Sequence, residues 1–278
     1  MVMKNKLDDG PVKNTGSINL HLLLENDIHL LTSFSEENLL DIDKSIHEIR
    51  KSLKSILSIL LLYKVQLVRT QYINWRSHFK AIAKQFASFR ESYVYLQTFN
   101  RVEEDLKNAE KSSFIELRKH LENNYKLLVK ENKKIKDTIR QLRESIITIS
   151  ISVENSHISS DLKLLEKSHR KTVQKTKQLF KTLTLSSSAE DYHKFRKWCR
   201  YLYFQEAVLK RLDKKKGVSK EIGKLHKITD YLGYEHDLQL FYLYLRKQFT
   251  DMFEIIQPFL LLKIKKLRKK VLALKPGI

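Results

Sequence analysis

The sequence is poor in the residues that interrupt helices. Its 278 residues include six glycines and three prolines, and none of them lies between Ser17 and Lys216. A stretch of 200 residues without either type excludes a protein rich in β-turns and favours long helices. We therefore predict an all-α fold.

Cysteine and long apolar runs are equally scarce. Cys199 is the only cysteine, which excludes a disulfide within the chain and favours a reducing compartment. The longest apolar run, Ile56–Leu62, is interrupted by Ser58 and is too short to cross a membrane. Residues Met1–Gly16 lack the hydrophobic core of a signal peptide and are predicted to form a flexible leader. We expect a cytoplasmic protein.

Acidic residues are too few to balance the basic ones. The chain has 53 Lys and Arg against 32 Asp and Glu, a formal net charge of +21. Residues 1–46 carry four lysines and eight acids, a balance of −4, so the remainder carries +25. This surplus predicts a polyanionic partner, such as nucleic acid, an anionic membrane or polyphosphate.

One basic stripe occurs twice, each time at the spacing i, i+3, i+4, i+7 of one helix face. Its members are His47, Arg50, Lys51 and Lys54 in the first copy, and His193, Arg196, Lys197 and Arg200 in the second. The offset is 146 residues throughout. Between the windows 47–91 and 193–237, nine basic positions coincide. Chance predicts roughly four, so the pattern indicates an internal duplication.

The length allows one large or two medium domains, and the duplication divides residues 17–278 into halves of about 17–155 and 156–278. Each half has about four predicted helices, enough for a four-helix bundle, so we expect two pseudo-symmetric bundles around a basic cleft. The segment Ser145–Ser160 is predicted to be a helix end or a connector between the halves. Gly233 is predicted to end the helix Lys220–Leu232.

These residues resemble a known family. His47-x-x-Arg50-x-x-x-Lys54 and His193-x-x-Arg196-x-x-x-Arg200 look like the two signature helices of the CHAD family, the conserved histidine α-helical domain. The segment Leu232–Asp237, Leu-Gly-Tyr-Glu-His-Asp, resembles a second family feature, and Phe86–Glu91 is its degraded counterpart.

The signature is thinner than is usual in the family. Further basic residues usually follow the third basic position, whereas this chain has Ser55 and Leu57 in one copy and Tyr201 and Tyr203 in the other. The resemblance extends over nearly the whole chain and implies a single domain over 17–278. It further implies two pseudo-symmetric helical bundles that bind inorganic polyphosphate in a basic cavity, without catalysis and without a cofactor. It is also compatible with association with polyphosphate granules.

The residues expected to contact polyphosphate are all basic. They are His47, Arg50, Lys51, Lys54, His193, Arg196, Lys197 and Arg200, followed by Lys64, Lys80, Lys210 and His226. Arginine offers a planar fork for bidentate phosphate contacts, and lysine acts as a point charge. Nearby phosphate raises a histidine pKa, so we expect tighter binding below about pH 6.5.

Three other functions fit parts of the sequence. A helical nucleic-acid-binding protein is the main alternative, with Tyr201 and Tyr203 as stacking residues. A metal phosphohydrolase of the HD type is a second, on the faint pattern of His226, His236-Asp237 and Asp251. A membrane-surface role for the basic segment Lys263–Lys270 is the third, although packing within the second bundle explains its apolar residues more simply.

Overall fold

The prediction of an all-α protein is confirmed. The computed structural model describes residues 18–34, 42–104, 114–130, 132–212 and 220–275, and ten helices lie in those ranges. They are α1 Leu20–Ser33, α2 Ile42–Leu62, α3 Arg69–Gln85, α4 Ala87–Glu103, α5 Ile115–Lys130, α6 Asn132–Asn155, α7 Leu162–Lys181, α8 Ala189–Leu212, α9 Lys220–Gln248 and α10 Thr250–Leu274. The predicted leader lies outside the described residues.

A short strand pair joins the start of α1 to the start of α7. Strand β1, Ile18–Asn19, pairs antiparallel with β2, Ser159–Ser160. The segment predicted as a helix end or connector therefore contains both the end of α6 and a strand. No strand was predicted within this segment, and β1 supplies the partner of β2.

Helix α8, which carries the second basic stripe, begins at a capping box. Ser188 Oγ accepts a 3.1 Å hydrogen bond from the Asp191 backbone N–H, and the Ser188 backbone N–H donates to Asp191 Oδ2 at 3.2 Å. These reciprocal bonds satisfy N–H groups that the first helical turn leaves unpaired. The capping box therefore fixes the start of α8, the helix that carries the second basic stripe.

Three hydrophobic clusters form the interior. The first is built from α1, α2, α3 and α6, with single residues of α4 and α7 and two residues of α8: Phe89, Leu165, Tyr201 and Val208. The second joins α4 and α5 to α10 and the later part of α9, and the third joins α7 and α8 to the earlier part of α9 and the end of α10. Helices α4 and α5 therefore pack against helices from the other predicted half.

The helix order is compatible with the predicted offset of 146 residues. Shifted by that offset, α1 falls on α7, α2 on α8, the pair α3 and α4 on α9, and α5 on α10. The duplication, the two halves and the pseudo-symmetry stay predictions.

The prediction that Gly233 ends a helix is wrong, because α9 runs unbroken from Lys220 to Gln248. Gly233 does not have a positive φ. A Cβ added at Gly233 would lie 3.7 Å from Nη2 of Arg196, which is ordinary van der Waals contact. The residue thus lies where α9 passes the second basic stripe, and tertiary packing overrides its local tendency to end a helix.

Candidate functional site

The two helices that carry the basic stripes pack directly against each other. Ser58 Oγ of α2 donates a 2.7 Å hydrogen bond to the Tyr201 carbonyl oxygen of α8. Gln205 Nε2 of α8 donates in return to the Ser58 carbonyl oxygen at 3.2 Å. Ser58, Tyr201 and Gln205 are all buried, so these bonds are shielded from water. They hold the two stripes next to each other.

Lys54 lies among arginines that come from three helices. Its side chain is half-buried. Burial, followed by the charges of Arg200, Arg50, Arg196 and Arg90, lowers the pKa of its ammonium to about 6. Lys54 is therefore mostly neutral at pH 7, because the site disfavours one more positive charge.

The pKa values of the two arginines of the α8 stripe are lowered in the same way. Burial lowers the pKa of Arg200 to about 9, and the charges of Arg196 and Arg50 add to this effect. Burial also lowers the pKa of Arg196, while Asp237 and Glu235 oppose that shift. The buried Nε of Arg196 has no hydrogen-bond partner among the described residues.

Arg50 of α2 and Arg90 of α4 add further positive charge near Lys54. Arg50 Nη1 donates a 3.2 Å hydrogen bond to the Ala83 carbonyl oxygen, which ties α2 to α3. Burial and then the charge of Arg90 lower the pKa of Arg50, whereas Glu91 and Asp237 raise it. Burial raises the pKa of Asp237 despite its arginine neighbours, so this carboxylate only partly offsets the surplus.

Three histidines lie beside these arginines and Lys54. His47 and His193 lie at its exposed rim, and partial desolvation, followed by the charges of Arg90 and Arg196 respectively, lowers their pKa values. The ring centres of His193 and His236 lie 4.9 Å apart, and the pKa of His236 falls to about 3 through burial and the charge of Arg196. We name the central basic cluster as His47, Arg50, Lys54, Arg90, His193, Arg196, Arg200 and His236.

Lys51 and Lys197 lie on the exposed flanks of their stripes. Lys51 Nζ pairs with Glu48 Oε2 at 3.3 Å within α2. Lys197 is exposed on α8 and lies near Lys80 of α3, whose pKa is lowered by Arg76, by burial and then by Lys197. Lys80 and Lys197, with the half-buried Arg76, therefore form a second basic group nearer the surface.

The remaining predicted residues lie further from the central basic cluster. Lys64 lies in the turn after α2, with Nζ 5.6 Å from the centre of the Tyr72 ring. Lys210 lies ten residues beyond Arg200 on α8, and His226 lies ten residues before His236 on α9. Ten residues correspond to about 15 Å of helix. His226 Nδ1 is paired with Asp230 Oδ2 at 2.8 Å.

Arg90 and His236 were missing from the predicted set, although they belong to the central basic cluster. A signal for them was present, because they are one of the nine coinciding basic pairs of the duplication. Each follows the first arginine of its stripe by 40 residues. Only the packing of α4 and α9 beside α2 and α8 brings them to the same place.

The two tyrosines that suggested nucleic-acid stacking are engaged within the protein. Tyr201 is 7% exposed, and its hydroxyl accepts a 3.3 Å hydrogen bond from Arg76 Nη2. Tyr203 makes edge contacts with Phe204 and His226, with ring centres 5.4 and 5.6 Å apart. Tyr201 is therefore not an open platform for a base, and Tyr203 is half-buried.

Metal clusters and membrane spans are both absent from the described part of the chain. No group of three or more His, Cys, Asp or Glu side chains in those ranges is placed to hold a metal ion. None of the helices described combines the length and the apolar character needed to cross a bilayer.

Comparisons with known proteins give one family match and one structure of similar fold. The model of the CHAD domain matches residues 23–246. No curated protein matches the chain significantly. The solved structure of PptA from Streptomyces chartreusis is similar, with a TM-score of 0.63 and 11% sequence identity, over 92% of this chain and 95% of that chain. At this identity the similarity shows a common fold.

Proposed function

The chain belongs to the CHAD family, and from that premise we propose that it binds inorganic polyphosphate at the central basic cluster, without catalysis. The family resemblance supports this ligand, and the location of the cluster supports the site. The cytoplasm, in association with polyphosphate granules, is the location that this function fits.

The observation that carries the proposal is the surplus of positive charge between α2 and α8. Glu91, Asp237 and Glu235 are the carboxylates that oppose it at Arg50 and Arg196. Glu235 is already paired with a buried arginine of α10, at 2.8 Å. Like charges held together in a partly desolvated site are costly, and an anion that enters relieves that cost. Four members of the cluster are arginines, namely Arg50, Arg90, Arg196 and Arg200, and Lys54 becomes a fifth cation when it gains a proton.

The chemistry of the cluster suits a chain of phosphates. Polyphosphate presents charged oxygens along its whole length and has no bases to stack. Arg50, Arg196 and Arg200 provide planar forks for such oxygens. The buried, unpartnered Nε of Arg196 is a donor that a phosphate oxygen satisfies. Nucleic acid is the less favoured ligand, because Tyr201 and Tyr203 are engaged within the protein.

Binding without catalysis is the simplest use of this cluster. A metal-dependent phosphohydrolase needs several ligands that attract a divalent cation. Asp237 is instead surrounded by cations, among them Arg196 and Arg90, which repel such an ion. We assign Asp237 the role of partly offsetting the charge of these arginines.

A competition titration tests the proposal. Labelled long-chain polyphosphate is bound at fixed salt, and unlabelled polyphosphate, duplex DNA or single-stranded RNA is added at equal phosphate concentration. We expect polyphosphate to compete far better than either nucleic acid. Fixed salt is required because every polyanion releases counterions when it binds.

Two double variants locate the site. Arg50→Ala/Arg196→Ala removes two arginines of the cluster, and Arg143→Ala/Arg170→Ala removes two exposed arginines of α6 and α7. The first variant is expected to lose the preference for polyphosphate, whereas the matched control retains it. Equal competition by RNA or DNA, or normal binding by the cluster variant, would show a generic polyanion surface.

A further inference from the structure

The outward face of α10 combines exposed leucines with exposed lysines. Leu261 and Leu262 are 47% and 51% exposed. No acidic residue follows Glu254 in α10, so this part of the face carries one sign of charge. Exposed leucines are not needed for solubility, so this face is more than a set of solvated lysines. Four exposed lysines follow at helical spacing: Lys265, Lys266, Lys269 and Lys270.

The orientation of α10 is fixed by its buried residues, among them Arg268. Arg268 donates from Nε and Nη2 to Glu235 Oε1, at 2.9 and 2.8 Å. The helix is therefore held in one rotation, and Leu261 and Leu262 lie outside its packed side. The apolar residues buried around Arg268 are Leu260, Ile264, Leu267 and Val271.

The lysines of this face serve no ion pair with another described residue. Within the described ranges, Lys265, Lys266 and Lys269 form none, and Lys270 Nζ lies 5.3 Å from the centre of the Tyr231 ring. These lysines are also distinct from the central basic cluster. Their charge is available to an external anionic surface.

We propose that this face of α10 docks onto an anionic lipid bilayer, with Leu261 and Leu262 in the headgroup region and the lysines on lipid phosphates. Adjacent apolar and basic residues on one helix face are the features that bind such a surface. Nucleic acid and free polyphosphate are hydrophilic, so two exposed leucines would add little to the affinity for either ligand. The helix lies along the membrane surface and does not span it.

Helix α7 provides an internal comparison. Its later part carries exposed Lys171, Lys175, Lys177 and Lys181, and its large apolar residues there are not exposed. This face has similar charge without the leucines. Loss of lysines from α7 therefore tests for simple electrostatic attraction, whereas loss of lysines from α10 tests for the proposed docking.

Vesicle sedimentation tests the proposal with the full chain. Vesicles of phosphatidylcholine alone are compared with vesicles that also contain phosphatidylglycerol. Circular dichroism and thermal melting establish that each variant is folded before its binding is measured. The variants are Leu261→Ser/Leu262→Ser, Lys265→Gln/Lys266→Gln, the α7 control Lys171→Gln/Lys175→Gln, and Arg50→Ala/Arg196→Ala of the central basic cluster.

We expect binding to the anionic vesicles only. Each lysine lost from the α10 face should reduce partitioning about fivefold, and loss of the leucine pair should reduce it by a similar factor or more. The α7 control and the cluster variant should bind these vesicles as wild type does. Failure to bind anionic vesicles, an equal loss in the α7 control or the cluster variant, or normal binding without the leucines would overturn the proposal.

Discussion

Ser58 Oγ donates a 2.7 Å hydrogen bond to the Tyr201 carbonyl oxygen, from the interior of α2 to the interior of α8. The carbonyl of Ser58 accepts a second bond from Gln205, so the two helices are joined in both directions. The basic stripes lie within about three turns before these residues on each helix. This contact therefore sets the separation of the two stripes.

Ser58→Ala is expected to lower the free energy of unfolding by about 1 kcal/mol, because one buried hydrogen bond between the helices is lost. Urea unfolding measures this change. Ser150 is a suitable control, since its Oγ bonds to the Ile147 carbonyl oxygen within α6. Ser150→Ala should change stability by less than about 0.5 kcal/mol. Equal effects of the two changes would contradict a joining role for Ser58.

Lys54→Met is expected to stabilise the free protein, and by more at pH 6 than at pH 9. The pKa of Lys54 falls from 10.5 to about 6 on folding, through burial and neighbouring arginines. Between these values the unfolded chain holds a proton that the folded chain lacks, so wild-type stability rises with pH. The cost of Lys54 is greatest below about pH 6 and disappears above its unfolded pKa.

Urea unfolding of wild type and Lys54→Met at both pH values measures this difference. Lys51→Met is the control, because Lys51 is exposed on the same helix. A gain of the same size at pH 6 and pH 9 would show that Lys54 does not lose its proton on folding.

Polyphosphate binding is expected to take up protons near neutral pH. A bound polyanion raises the pKa of Lys54 from its free value of about 6, so the amine gains a proton when the ligand enters. Affinity should therefore rise as pH falls toward 6. Calorimetry at pH 8 in buffers of different ionisation enthalpy should reveal on the order of one proton per site. Retention of this uptake in Lys54→Met would assign it to another group.

The histidines have a smaller part in this uptake than the sequence suggested. The expected transition at about pH 6.5 assumed ordinary histidines. Desolvation and neighbouring cations lower the pKa values of His47 and His193, and that of His236 to about 3. In the free protein these rings gain protons only in more acidic solution, so Lys54 dominates near neutrality.

Arg268→Ala is expected to destabilise the protein by about 3–5 kcal/mol, because it leaves the buried carboxylate of Glu235 without its partner. Arg268 also donates from Nη1 to the carbonyl oxygens of Leu185 and Ser187, at 3.3 and 2.8 Å. The exposed neighbour Lys269 is the control, and Lys269→Ala should have little effect on urea unfolding. A loss below about 1 kcal/mol for Arg268→Ala would contradict an anchoring role.

The fold class and the grouping of the main cations could be predicted from the sequence for physical reasons. Helical spacing places Arg50 and Lys54 on one face, and the repeat of that spacing suggested that Arg196 and Arg200 belong with them. Lys51 has the same repeated spacing but lies on the exposed flank. The four residues of a basic stripe span a wide arc of the helix surface. Only tertiary packing decides which edge of that arc is buried.

Other features depend on contacts that no local pattern encodes. Arg90 and His236 reach the cluster only because α4 and α9 pack beside α2 and α8. Gly233 has the local character of a helix end, yet it lies inside α9 next to Arg196. Its environment is set by a residue 37 positions earlier in the chain.

A crystal structure of the protein with a short polyphosphate tests the proposed site most directly. We predict that phosphate oxygens contact Arg50, Arg196 and Arg200 between α2 and α8. Phosphate bound only at the exposed lysines of α7 or α10, with the central basic cluster left without ligand, would contradict it.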